Sequence, residues 1–391
     1  MNGKQRFFIS CIIISLFLLT GCWDSQDIEE VSGNIGLALD LADEQPGDIH
    51  VQGENPVITA TIQNVDPKQS VGGDAQIDYK NTSITSNTLS KMIVEVSLFN
   101  RGSLVGQHLK VTVIGEELAK RMNFRNMLGY LLRSTQIRLS STILCAKGTA
   151  KDLLESEEKG QGSELPALQI FEIANNTKYS LRMLDPMTYG KVGRYLATHQ
   201  SFLLPCITKK KDEVLFEDAA VIDGKTNRLA GFLTSEEIAG VNWITGKKGG
   251  GLLNIYNPKG HIFSVKIDHM HSKIIPRVQG DQISFDVQVK ADGLLTEDWI
   301  ESDDASDESL IKQLEKETEQ KIVYQMRSAL HKMQKVYKAD VAGFGDAVRI
   351  HHPRLWQRVK NNWDDKHFSN APIRLHIDLK LKDFGVKTRD R

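Results

Sequence analysis

The sequence predicts an α+β protein of more than one domain, with mixed or antiparallel sheets flanked by helices and one long amphipathic helix in the C-terminal half. Three stretches carry that expectation. Ile283, Phe285, Val287 and Val289 alternate with Ser284, Asp286, Gln288 and Lys290, and Ile373, Leu375, Ile377, Leu379 and Leu381 alternate with Arg374, His376, Asp378 and Lys380. A period of two gives a strand one covered and one wet face, the pattern usual in antiparallel sheets. Between them, Leu310, Leu314, Ile322, Met326, Leu330 and Met333 make one apolar stripe at helical spacing along residues 308–338. Laying that stripe across the sheet is the economical packing.

The chain begins with a basic head, Lys4 and Arg6, and a 13-residue largely apolar run from Phe7 to Leu19. As a helix this run covers about 20 Å, short of the ~30 Å hydrocarbon core, so it reads as a secretory signal and not as a span. It closes on Leu19-Thr20-Gly21-Cys22, an apolar residue and two small ones before a cysteine, which fits the bacterial lipobox. Residues 1–21 are expected to be removed and Cys22 to carry the lipid. The remaining chain holds 47 basic and 50 acidic side chains, a balance of −3, which excludes a nucleic-acid-binding profile and any polybasic membrane supplement. Anchoring must then come from acyl chains, two or more of which hold firmly.

An N-terminal α/β-mixed domain is expected over residues 22–208. A small apolar strand covers Ile35–Leu39, and a second runs from Val57 to Val65 with Ile58, Ala60 and Ile62 on one face. Leu89, Ile93 and Val96 predict a helix over 86–99. Leu109, Val111 and Val113 alternate with His108, Lys110 and Thr112 as a half-buried strand. Short helices over 116–122 and 126–133, a strand over 137–146, and helical segments near 149–155, 166–175 and 186–198 follow without a regular βαβ rhythm. Cys145 and Cys206 are the cysteines left in the body; a disulfide and two buried thiols are both open.

The charged stretch KKKDE at 209–213 is the expected domain boundary, with a C-terminal α+β domain over 209–391 that has room for a subdivision near residue 258. Strands over 214–222 and 228–233 flank DGKTN as a hairpin. Thr234 and Glu237 then have capping-box spacing at the start of a helix reaching about Trp243.

No stretch has the pattern of a catalytic, cofactor or metal site. His269 and His271 continue the odd-numbered face of Phe263, Val265 and Ile267 and have the spacing to share a metal, with His351-His352 as a second pair, but a polar strand end and a turn before Pro353 explain both simply. Gly249-Gly250-Gly251 lacks the helix N-terminus that a phosphate loop needs. The acidic pairs Glu236-Glu237, Asp303-Asp304 and Asp364-Asp365 suit caps, turns or solvated faces. Trp356, Val359 and Trp363 have helical spacing, and both core packing and a partner- or membrane-facing surface remain open.

Several stretches together resemble the Ger(x)C family of spore-germination lipoproteins: Cys22-Trp23-Asp24 followed by Asp27-Ile28, the strand closing on Asp40, and the segment built round Arg101, His108 and Gly115-Glu116-Glu117-Leu118-Ala119. Near the far end, Asp340, Gly343, Gly345, Pro353, Trp356, Trp363 and Phe368 match the family signature; Gln26 departs from a usual basic residue. The resemblance implies a non-enzymatic C subunit of a nutrient germinant receptor, lipid-anchored on the outer face of the spore inner membrane beside membrane-embedded A and B subunits. Whether such a subunit contacts nutrient stays open. The alternative is a lipid-anchored solute-binding protein feeding a transporter; a lipid-anchored hydrolase would need catalytic residues that no motif supplies.

Overall fold

The computed structural model describes residues 33–43, 56–65, 79–99, 106–155, 165–177, 180–211, 213–247, 249–280, 282–298 and 308–382. The elements run in the order β1 (Gly33–Leu41), β2 (Ile58–Val65), β3 (Tyr79–Ser86), α1 (Leu89–Phe99), β4 (Val111–Gly115), α2 (Glu116–Arg121), α3 (Phe124–Arg133), β5 (Thr142–Ala146), α4 (Lys151–Leu154), α5 (Pro166–Asn175), α6 (Tyr189–Thr198), β6 (Phe202–Lys210), β7 (Glu213–Ile222) and β8 (Leu229–Leu233). These strands form one eight-stranded sheet in the order β3-β2-β1-β4-β5-β6-β7-β8.

Its middle is parallel. β1 pairs β4, β4 pairs β5 and β5 pairs β6 in one direction, and antiparallel strands extend both sides. This corrects two expectations. The crossovers from β4 to β5 and from β5 to β6 are βαβ-like; each carries more than one of the short helices expected there, which hides the alternation of single strands and helices. The 109–113 strand is also shifted to Val111–Gly115 and is buried on both faces, because parallel strands carry helices above and below. One face packs on α1, α3 and α6 through Met92, Leu128 and Val192, the other on α4 and α5 through Leu154 and Ile170. The strand expected over 137–146 begins only at Thr142.

Cys145 and Cys206 sit opposite each other on β5 and β6, both buried and both free. Burial pushes the Cys206 thiol well up from its ordinary value. The KKKDE stretch, expected as a domain boundary, lies in the hairpin joining β6 to β7, and the eight-stranded sheet runs on through it.

Then come α7 (Ser235–Thr245), β9 (Gly251–Tyr256), β10 (Ile262–Gln279), β11 (Gln282–Asp298), α8 (Glu308–His331), α9 (Phe344–His351), α10 (Pro353–Val359) and β12 (Ile373–Lys382). α7 starts in the expected capping box, with the Thr234 N–H donating to Glu237 Oε2 at 2.9 Å. Every residue of α7 from Glu237 to Ile244 is buried, Glu237 and Asn242 included. Ile238, Trp243 and Ile244 join one core with Leu203 and Val221 of the large sheet and Phe263 and Val265 of the small one.

β9 to β12 form a second sheet in the order β12-β11-β10-β9. The predicted alternations lie on β11 and β12, but these two strands pair in parallel. The chain leaves β11 and returns only after α8, α9 and α10, and only such a long connection can bring the next strand in the same direction. The α8 stripe is as expected: Leu314, Ile322, Met326 and Leu330 are buried, and Met333 continues it into a wider turn at Lys332–Val336. Two polar residues also belong to the buried face. Thr318 donates to the Leu314 carbonyl, and Gln325 accepts the Trp243 indole N–H at 3.1 Å.

Candidate functional site: an aspartate-centred junction

Cys22, Trp23, Asp24, Asp27, Ile28 and Arg101 lie outside the described residues. His108 is exposed at the end of a short turn. Two aspartates named by the sequence motifs organise the rest.

Asp40 ends the buried part of β1 and accepts the N–H groups of Ala150 at 2.7 Å and Lys151 at 2.8 Å, fixing the start of α4. Burial pushes its carboxyl above the ordinary value, and the two N–H donors pull it back. Gly115, at the end of β4, lies so close that any Cβ there would overlap Asp40 Oδ1. A glycine is required by that approach, and the Gly115-Glu116 motif follows from it.

Asp340 is the centre of the C-terminal signature. Its Oδ1 accepts the N–H groups of Gly343 at 2.9 Å and Phe344 at 3.1 Å, and its Oδ2 accepts those of Gly345 at 2.6 Å and the Trp363 indole at 2.9 Å. Asp-x-x-Gly spacing suits this cage because Gly343 turns the chain at φ +89°, a conformation that costs glycine little. At Gly345 a Cβ would press on the Trp363 Nε1 and on the Trp356 ring. The rings close the cage: Phe285 meets Phe344 at 4.9 Å, Phe344 meets Phe368 at 5.3 Å, and Trp356 meets Trp363 at 5.4 Å, centroid to centroid. Phe344 and Phe368 are fully buried, each contributing roughly 2–3 kcal/mol of transfer free energy. Trp363 and Val359 are buried and Trp356 half-buried, so the tryptophan stripe belongs to the core.

Of the caps, turns and solvated faces expected for the acidic pairs, Asp364 takes a turn position that is buried. It accepts the Asp340 N–H at 3.1 Å on Oδ1 and the Ser201 hydroxyl at 2.9 Å on Oδ2. Ser201 in turn accepts the Gly224 N–H at 3.0 Å. Burial first, and then the neighbouring Asp340 carboxylate, push Asp364 up to about 6. For Asp340 itself burial pushes upward against four N–H donors, and the balance is upward. Asp365 is the exposed member of the pair and meets Lys225. Gln200 donates to Asp346 Oδ1 at 3.0 Å. Ser201, Gly224, Lys225 and Gln200 all belong to loops of the eight-stranded sheet, so the signature clamps the segment before β12 onto the other sheet. Ser201 and Gly224 sit in no motif and had no signal in the sequence.

A cleft of about 780 Å³ opens beside this junction, lined among others by Arg194, His199, Lys247, Gly343, Trp356 and Lys360. All four oxygens of Asp340 and Asp364 are engaged by protein donors, so their chemistry there is to hold structure. The two histidines expected on one apolar face are not on it. A β-bulge between Ile267 and His269 flips the strand, leaving Phe263, Val265 and Ile267 buried while His269 and His271 are exposed, with His269 beside Asp292 at 3.2 Å. Among the described residues, no three His, Cys, Asp or Glu side chains are grouped to hold a metal, and no helix is long and apolar enough to cross a membrane.

Comparison with known proteins agrees with this geometry. Residues 24–209 match the model described as spore germination protein N-terminal domain, and residues 217–385 match that of the spore germination B3/GerAC-like C-terminal domain. Spore germination protein YndF of Bacillus subtilis is 34% identical over the full length of both chains. Spore germination protein A3 of the same organism is 29% identical over 98% of this chain and 99% of the relative, and spore germination protein B3 is 27% identical over 99% of each. The crystal structure of the GerBC protein superposes with a TM-score of 0.60 at 25% identity, covering 91% of this chain and 99% of that one. With both halves matched and the Asp340 signature forming a built junction, the chain belongs to the Ger(x)C family of spore germination proteins.

Proposed function

We propose that this chain is a lipid-anchored, non-catalytic subunit of a nutrient germinant receptor, tethered through Cys22 to the outer face of the spore inner membrane and assembled there with A and B membrane subunits. The observation that carries the reading is family membership over both halves of a chain that carries a lipobox-like Leu19-Thr20-Gly21-Cys22. The engagement of the buried carboxylates by structural donors supports a structural role for them over a catalytic one.

Cys22→Ala tests it. The expected result is loss of acylation, release of the protein from spore membranes and a weakened nutrient response, with the circular dichroism of the body unchanged. Normal membrane retention with full germination would overturn the reading. A solute-binding role keeps one observation in its favour, the mixed-charge cleft beside Trp356. Calorimetric titration of the intact chain with amino acids and sugars separates the two, since saturable tight binding would favour the solute-binding alternative.

A further inference from the structure

β12 is the outer strand of the four-stranded sheet, and its free edge differs along its length. Backbone groups alternate sides along a strand, and the Pro372 carbonyl accepts from Phe285 on β11. The odd-numbered residues from Ile373 to Leu381 therefore turn N–H and C=O outward. At one end those groups are taken: the Leu379 N–H donates to Glu319 Oε1 at 3.3 Å and the Leu381 N–H to Glu315 Oε1 at 3.0 Å, both from α8. At the other end no acceptor among the described residues meets the Leu375 or Ile377 N–H. Here α8 stands off the strand and leaves a groove of about 770 Å³, lined by Val323, Tyr324, Leu375 and Ile377. Tyr324 is 63% exposed.

The flanks of this open edge are basic. Lys316 and Arg327 border the groove on α8 together with Glu319, and Arg374 stands on the exposed face of β12 in its open half, with Lys380 and Lys382 farther along at the closed end. Glu315 and Glu319 are bonded to backbone N–H groups, which leaves Asp378 as the carboxylate on the strand itself. We propose that the open half of β12 is a strand-addition site for an acidic segment of a partner protein. The incoming backbone pairs with Leu375 and Ile377, its alternate apolar side chains enter the groove, and its carboxylates meet the basic flanks. A second copy of this chain fits poorly, since pairing two β12 edges would bring the same basic flanks together. The proposal does not depend on the receptor reading.

The probe is a fluorescent seven-residue peptide of alternating valine and glutamate, titrated by anisotropy into the intact chain. Saturable, salt-sensitive binding is expected, and the valine–lysine counterpart and a backbone N-methylated version should not bind. Ile377→Pro removes an outward N–H at an edge position where proline spares the β11 ladder, and Arg327→Glu inverts one flank. Each should weaken binding about tenfold. If Ile377→Pro lowers the unfolding midpoint, Arg327→Glu, far from the ladder, carries the test. No binding, equal binding of the lysine peptide, or affinity unchanged in both variants would overturn the proposal. Self-association abolished by Ile377→Pro would also overturn it, by assigning the edge to a second copy. So would tighter binding to phosphatidylglycerol vesicles that the peptide does not compete away.

Discussion

Asp40 and Asp340 are both buried aspartates that accept backbone N–H groups, one in each half of the molecule. Asp40 reaches across 110 residues of sequence and takes two donors; Asp340 takes three from residues within five positions of itself and a fourth from the Trp363 indole. The first is assembled by the sheet, which brings β1 and β4 side by side before α4 can start. The second is mostly assembled by its own turn and then locked by aromatic rings. Buried carboxylates of similar exposure thus stand on different foundations, one tertiary and one largely local.

The comparison breaks most readily at Asp340. Asp340→Ala strands four buried donors, and at ~1–3 kcal/mol for each unmet group the loss should be about 4 kcal/mol or more. Asp40→Ala strands two and should cost about half as much, both read from denaturant unfolding at constant m. Equal costs would show that donor count is not what separates the two sites.

Asp364 sharpens the contrast next, through pH. Its folded pKa of about 6 exceeds the unfolded value of about 4, so the folded state holds the proton more tightly. That contribution is present below pH ~4 and lost as pH rises through about 6, a span of about 3 kcal/mol. Wild type should therefore gain stability over Asp364→Asn between pH 7.5 and pH 5. A flat difference between the two unfolding curves would remove Asp364 as a titrating contact between the sheets.

The smallest expected effect is a coupling. Gly115→Ala forces a Cβ onto Asp40 and should cost about 2 kcal/mol in the wild type. In an Asp40→Ala background most of that cost should vanish, a coupling of about 1–2 kcal/mol in a double-mutant cycle. Additive costs would place the need for glycine elsewhere.

Legibility followed the range of the interaction. The α8 stripe, the capping box at Thr234 and the strands on β11 and β12 were visible because each repeats or closes within a few residues. Asp340, Gly343 and Gly345 were named only through the family resemblance, and the cage they build was not foreseen. For Asp364-Asp365 a cap, a turn and a solvated face were all open, because nothing in the pair says which carboxylate faces Ser201, 163 positions away. His269 was placed on the wrong face because one bulged residue reverses a period-two pattern without altering composition.

By itself, then, the sequence determined the periodic elements and the family, and it supports the expected lipid-bearing cysteine, since apolar period, cap spacing and motif are properties of neighbouring residues. Tertiary structure alone decided that β11 and β12 run parallel, that one large sheet continues through the charged hairpin at 209–213, and that Asp364 bonds across to the other sheet. Each of these depends on which distant segment comes to lie alongside. That is settled by burying a shared core around α7, a balance taken over the whole chain that no short stretch encodes.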